Sequence, residues 1–197
     1  MILNNKTAYP DICFQILDEL KRKLAPYLTY HSYYHIIDVA NVCDMYINLY
    51  RIDDNMAKLI RIAAICHDFG YTESPSEHEQ RSTVLIEPFL KPVLTNEEIA
   101  LVNGMIMATK IPQQPKTFYE KILADADLDY LGRSDYNELS ENLHQEFLHF
   151  GVVKSQREWI DLQIKFLENH QYHTLYAKWN RRKLKLSKLK ELKASRL

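Results

Sequence analysis

Leu59-Ile60-Arg61-Ile62-Ala63-Ala64-Ile65-Cys66-His67-Asp68-Phe69-Gly70 is the stretch on which the fold turns. Seven of the eight residues before the histidine are apolar, which reads as a buried helix, and Gly70 stops it. The run starts at Asp53-Asp54-Asn55, a helix-opening cluster, and ends in His67 and Asp68. Two unpartnered polar side chains at the end of a buried helix are costly. One reading is an intramolecular polar pair that caps the helix. The other is a pair of metal ligands, because imidazole nitrogen and ionised carboxylate oxygen both bind first-row metals, whose charge replaces the lost hydration.

Composition sets the frame around this helix. A chain of 197 residues buries a full core without metals or disulfides for stability, so a single domain over 1–197 is expected. Hydrophobic residues make up 46% and charged residues 26%, the balance of a soluble globular protein. Four glycines and little strand-type alternation predict an all-α fold. Cys13, Cys43 and Cys66 are far apart among apolar neighbours, which argues against a disulfide framework and a cysteine-based zinc site. With no basic-then-apolar leader pattern in residues 1–9 and no membrane-length apolar run, a cytoplasmic location is expected.

Toward the N-terminus of the central helix, residues 30–52 read as a helix containing Tyr30-His31-Ser32-Tyr33-Tyr34-His35-Ile36-Ile37-Asp38-Val39. Spacings of four and three place His31, His35 and Asp38 on one helical face, a polar stripe without a Lys or Arg beside it. Before it, Pro10-Asp11 opens an amphipathic helix built on Ile12, Ile16, Leu17, Leu20 and Leu24 and interrupted by Pro26.

Toward the C-terminus, a polar connection over 71–79 carries Glu77, His78 and Glu79 to the mouth of a helix over 78–90 that Pro88 and Pro92 end. Thr95-Asn96-Glu97-Glu98 is a capping box for a helix to about residue 107. Thr109 and Lys110 follow in a loop, as potential anion contacts. The next helix, over 116–132, carries Asp125, Asp127 and Asp129. At 100° per residue, Asp125 and Asp129 share a narrow arc, while Asp127 falls among Leu123, Ala124, Leu128, Tyr130 and Leu131 and is the one aimed inward. Helices over 134–150 and, from a second capping box at Ser155–Glu158, to residue 169 carry Arg133, His144, Glu146 and Arg157, polar groups within reach of a phosphate or plain solvated faces.

The final segment, 173–197, predicts a basic helix docked on the body through Leu175, Tyr176, Trp179, Leu184, Leu186 and Leu189, or extending from it. Residues 178–197 hold nine Lys or Arg and one acid, leaving 16 bases against 25 acids in the rest of the chain. Docking of this helix on the acidic body is the expectation; nucleic acid or anionic membrane binding is a weaker reading of a basic run.

His35, His67, Asp68 and Asp127 therefore come from three helices, as a metal site within a bundle requires. In order and surroundings they resemble the His…His-Asp…Asp signature of the HD-domain superfamily of metal-dependent phosphohydrolases. The run Tyr-His…His, His-Asp-Phe-Gly-Tyr, His-Glu…Arg-Ser and Asp-Ala-Asp-Leu-Asp-Tyr-Leu-Gly is similar to small stand-alone predicted HD hydrolases over nearly the whole chain. The segment from Tyr30 to Val39 also looks like the start of the catalytic domain of cyclic-nucleotide phosphodiesterases. Their purine-clamping glutamine has no counterpart, so cyclic nucleotides are not implied.

The resemblance implies an HD-domain or phosphodiesterase-like helical bundle. It also implies a divalent Mn, Fe, Zn or Co ion on His35, His67, Asp68 and Asp127, with His78 and Glu79 as candidate ligands to a second ion. In the catalysis it implies, His31 protonates the leaving group, Asp68 or Asp127 accepts the proton of water, and Lys110 steadies the phosphate. The expected substrate is a small phosphate ester, a nucleotide first among them. A non-catalytic nucleotide- or metal-binding module and a di-iron oxygenase are the alternatives, and a homo-oligomer is open.

Overall fold

A computed structural model describes residues 2–196. Ten α-helices and three short 3-10 turns make up its regular structure, with no strand among the described residues. The all-α expectation holds. No described helix is long and apolar enough to cross a membrane. The chain forms two compact units, one of residues 1–25 and 31–127, the other of residues 26–30 and 128–197.

The first unit contains α1 (Asp11–Lys23), α2 (Tyr33–Tyr50), α3 (Asp54–Cys66), α4 (His78–Leu90), α5 (Asn96–Met107) and α6 (Phe118–Asp127). Helix α3 is the apolar run, and it packs against α1, α2, α4, α5 and α6. Every residue from Leu59 to Cys66 is buried. Full burial of Ile60, Ile62 and Ile65 stabilises by about 1.5–3 kcal/mol per side chain. Asp53 caps α3 by accepting from the Met56 N–H at 3.0 Å. Arg61 interrupts the apolar run yet stays buried, because its Nε donates to Asp44 Oδ1 of α2 at 2.8 Å.

The bounds of α4 are those expected from the sequence, while the start of α2 and the place of Pro88 differ. Helix α2 begins at Tyr33, with Ser32 extended ahead of it, so His31 lies outside the helix and not on a shared face with His35 and Asp38. Pro88 lies inside α4, which continues to Leu90. Its missing N–H forfeits one bond in the last turn, too little to end the helix there. The capping box of α5 forms as expected, Thr95 Oγ1 accepting from the Glu98 N–H and Glu98 accepting from the Thr95 N–H.

The second unit contains α7 (Tyr136–His149), α8 (Gln156–Asn169), α9 (Leu175–Asn180) and α10 (Arg182–Ser195). Its core gathers Tyr30, Leu128, Tyr130, Leu131, Tyr136 and Leu167. Three polar groups considered for phosphate binding serve packing here. Glu146 is buried and accepts from the Tyr30 N–H at 3.0 Å, His144 stacks on Trp159, and Arg133 pairs with Asp135 at 2.6 Å. Arg157 is exposed. Ser155 caps α8, but Glu158 accepts from the Lys154 N–H, so the second capping box is half formed.

The basic segment is two helices broken at Arg181, and its docking face keeps only part of the expected stripe. Leu175, Trp179, Leu184 and Leu186 are exposed, while Ala177 and Lys185 face inward and Leu189 and Leu192 pack on the core. Specific anchors override hydrophobicity. Arg181 Nε donates to Asp129 at 2.7 Å, and Lys185 donates to the Leu167 and His170 carbonyls, which fixes the rotation of the segment. Gly132 is required beneath it, since a Cβ there would overlap the Arg181 backbone.

Candidate metal centre

His67 caps the C-terminus of α3 and is fully buried. Its Nδ1 lies 2.8 Å from the Ala64 carbonyl oxygen, which can only accept. The proton is therefore on Nδ1, and in the neutral ring Nε2 carries a lone pair. That atom faces Asp68 Oδ2 at 3.3 Å, Asp127 Oδ1 at 3.5 Å and His35 Nε2 at 3.3 Å. His35 Nε2 in turn lies 3.1 Å from Asp127 Oδ1 and 3.5 Å from Asp68 Oδ2. His35, His67 and Asp127 each offer a ligand atom within 4.8 Å of the others.

The group that could hold an ion is His35, His67 and Asp127; Asp68 Oδ2 lies against both histidine nitrogens but is not part of that mutually close set, and this crowding of electron-rich atoms is unfavourable without positive charge. Burial favours the neutral His67 ring, but the Asp68 and Asp127 carboxylates outweigh it and hold its pKa well above the ordinary value. Burial opposes ionisation of both carboxylates as well. His67 nonetheless draws Asp68 well below the usual range, and His35 and His67 bring Asp127 down to about 2. Asp68 Oδ2 is buried without a hydrogen-bond partner. Two imidazole nitrogens, two carboxylate oxygens, one of them orphaned, and a backbone carbonyl fixing the histidine tautomer together fit a divalent transition-metal ion.

Asp68 has a second neighbour. His78, the first residue of α4, brings Nε2 to 3.4 Å from Asp68 Oδ1 and 3.4 Å from Oε1 of the buried Glu79. Its Nδ1 faces the Pro75 carbonyl at 3.3 Å, the same tautomer logic as His67. The two oxygens of Asp68 therefore look toward different histidine groups. Gly70 makes this closeness possible, because a Cβ there would overlap the His78 backbone. Ser82 ties the turn down from the other side, donating to the His67 carbonyl at 2.8 Å and accepting from the Gly70 N–H at 2.7 Å.

His31 stands beside this cluster although it precedes α2. Its ring lies 6.0 Å from those of His35 and His78, stacks on Tyr71 at 4.1 Å, and its Nε2 is 3.0 Å from the Tyr71 hydroxyl. Lys110 is exposed after α5; its N–H donates to the Met107 carbonyl at 3.3 Å, and its ammonium makes no hydrogen bond or ion pair among the described residues. The helix-phase argument chose Asp127 and excluded Asp125 and Asp129 as outward, but all three are shielded. Asp125 and Asp129 are in fact more buried than Asp127, whose side chain is 15% exposed. Helix α6 ends at Asp127 and a 3-10 turn follows, so helical phase does not extend to Asp129, which pairs instead with Arg181.

Sequence reasoning gave no role to Tyr71 or Ser82. Tyr71 sits in the quoted His-Asp-Phe-Gly-Tyr run, but its partner is 40 residues away and nothing local announces it. Compared with models of known protein families, the chain matches none, and no curated protein matches it.

Proposed function

We propose that the chain is a metal-dependent phosphohydrolase of the HD-domain type, cleaving a phosphate ester, with nucleotides the first substrate class to try. The observation that carries this reading is the convergence of His35, His67 and Asp127, with Asp68 Oδ2, buried and lacking a hydrogen bond, against both histidines. Those four residues would hold the ion, with His78 and Glu79 placed for a second. A bound divalent ion supplies Lewis acidity toward a phosphoryl oxygen and lowers the pKa of a water.

The remaining roles fall to the chain's own groups. Asp68 or Asp127, both held as carboxylates, accepts the proton of the attacking water. His31 is braced by Tyr71 through its ring and its Nε2, and delivers a proton to the leaving oxygen. Thr109, whose hydroxyl donates to the Ile106 carbonyl, is not available to hold phosphate. Lys110 reaches it only if its exposed side chain folds toward the cluster.

The test is turnover by the Mn-, Fe-, Zn- or Co-loaded protein across a panel of nucleotides and generic phosphodiesters, beside His67→Ala and Asp68→Ala. Activity that disappears in both variants supports the reading, and equal activity in all three proteins sinks it. Tight nucleotide binding without turnover would favour a regulatory module. Two irons per chain with oxygen-dependent turnover would favour oxygenase chemistry.

A further inference from the structure

A groove of about 740 Å³ opens in the second unit between the end of α8 and the α9–α10 segment. Leu175 and Trp179 of α9 and Arg182 and Leu186 of α10 lie on the lining, with Tyr172. Trp179 is 82% exposed and Leu175 70% exposed, a large apolar area to leave in water. Lys185 braces the groove, its buried ammonium donating to the Leu167 and His170 carbonyls.

Part of the segment's charge is paired and part is not, and Lys183 and Lys190, which do not line the groove, also make no ion pair among the described residues. Near the chain's end, Lys193 is neutralised by Glu168 at 2.6 Å and Arg196 by Asp161 at 2.6 Å, both acids from α8. Lys188 pairs with Glu191. Lys178 and Arg182, which line the groove, make no ion pair among the described residues, and Glu168, the acid on the lining, is taken by Lys193. Uncompensated positive charge therefore coincides with the exposed apolar side chains.

We propose that this groove binds an acidic amphipathic helix of a partner protein, its apolar stripe against Leu175, Trp179 and Leu186 and its carboxylates on Lys178 and Arg182. Trp179 offers one exposed ring face for base stacking, but Leu175 and Leu186 beside it do not continue a track of aromatic faces, which disfavours single-stranded nucleic acid. A concave trough between helices matches a rod laid into it better than a plane of lipid headgroups. The volume is within the roughly 300–1,000 Å³ of ligand clefts, enough for a few anchoring side chains. The inference does not depend on the metal chemistry.

The probe is a fluorescein-labelled 18-residue helical peptide with a leucine stripe and glutamates elsewhere, beside the same peptide with lysines for glutamates, read by anisotropy against the full chain. The acidic peptide should bind saturably and the basic one should not. Trp179→Ala and the Lys178→Glu/Arg182→Glu pair should each weaken binding by more than about tenfold. Circular dichroism and the melting temperature should stay unchanged, since these side chains are exposed. No binding of the acidic peptide, equal binding of both peptides, or binding that the variants leave intact would overturn the proposal. So would shielding of Trp179 from quencher by anionic vesicles, by polyuridylate, or by self-association of the chain in place of the acidic peptide.

Discussion

Metal binding to the His35/His67/Asp68/Asp127 cluster should expel a proton from His67, and this sets the pH dependence of affinity. In the metal-free protein the two carboxylates keep His67 protonated, its pKa well above 6.5, whereas Asp127 at about 2 and Asp68, also depressed, are already ionised at neutral pH. Ligation needs the Nε2 lone pair, because Nδ1 is committed to the Ala64 carbonyl. Displacing one His67 proton below its metal-free pKa makes the association constant rise about tenfold per pH unit, or about 1.4 kcal/mol. The same raised pKa has a second consequence in the metal-free protein. The His67–carboxylate contribution to stability is fully present below about pH 6.5 and is lost as pH rises through the folded value. Calorimetric titration with Mn²⁺ at two pH values, in buffers of different ionisation enthalpy, gives both affinity and proton count. A pH-independent affinity with no proton released would refute the reasoning.

Two further outcomes follow from named contacts. Tyr71→Phe should lower kcat by about two- to tenfold, the worth of one hydrogen bond, while leaving bound metal unchanged, because Tyr71 braces His31 and is not itself a ligand; steady-state kinetics alongside metal analysis checks it. Arg61→Met should destabilise the protein by about 3–5 kcal/mol by leaving Asp44 buried and unpaired, and the double variant with Asp44→Leu should recover much of that loss in chemical denaturation.

The sequence was most legible where one residue pattern has one physical solution. A run as apolar as Leu59 to Cys66, opened by Asp53 and set in a chain with little strand-type alternation, reads as a buried helix, and α3 is the centre of the first unit. Thr95 and Glu98 announce their capping box because both partners lie within one turn. Legibility failed where tertiary contacts outrank local pattern. His31 reaches the cluster from an extended approach, and Asp127, although it does join the cluster, was selected on the phase of a helix assumed to run five residues too far. The C-terminal segment was rotated wrongly because Lys185 reads as a solvent residue, while the carbonyls that accept its ammonium come from 15 and 18 residues earlier. The pairing of Tyr71 with His31 leaves no trace in spacing or composition.

The account stands on the cluster being a metal centre, and metal content tests that most directly. Plasma mass spectrometry of the full chain, purified without chelator or affinity metal and dialysed against a mixture of Mn, Fe, Co and Zn salts, should find at least one divalent transition-metal ion per chain. It should find a clear loss of that ion in His67→Ala and Asp68→Ala variants whose circular dichroism matches wild type. Wild-type protein that retains no such metal, or variants that retain as much as wild type, would contradict it.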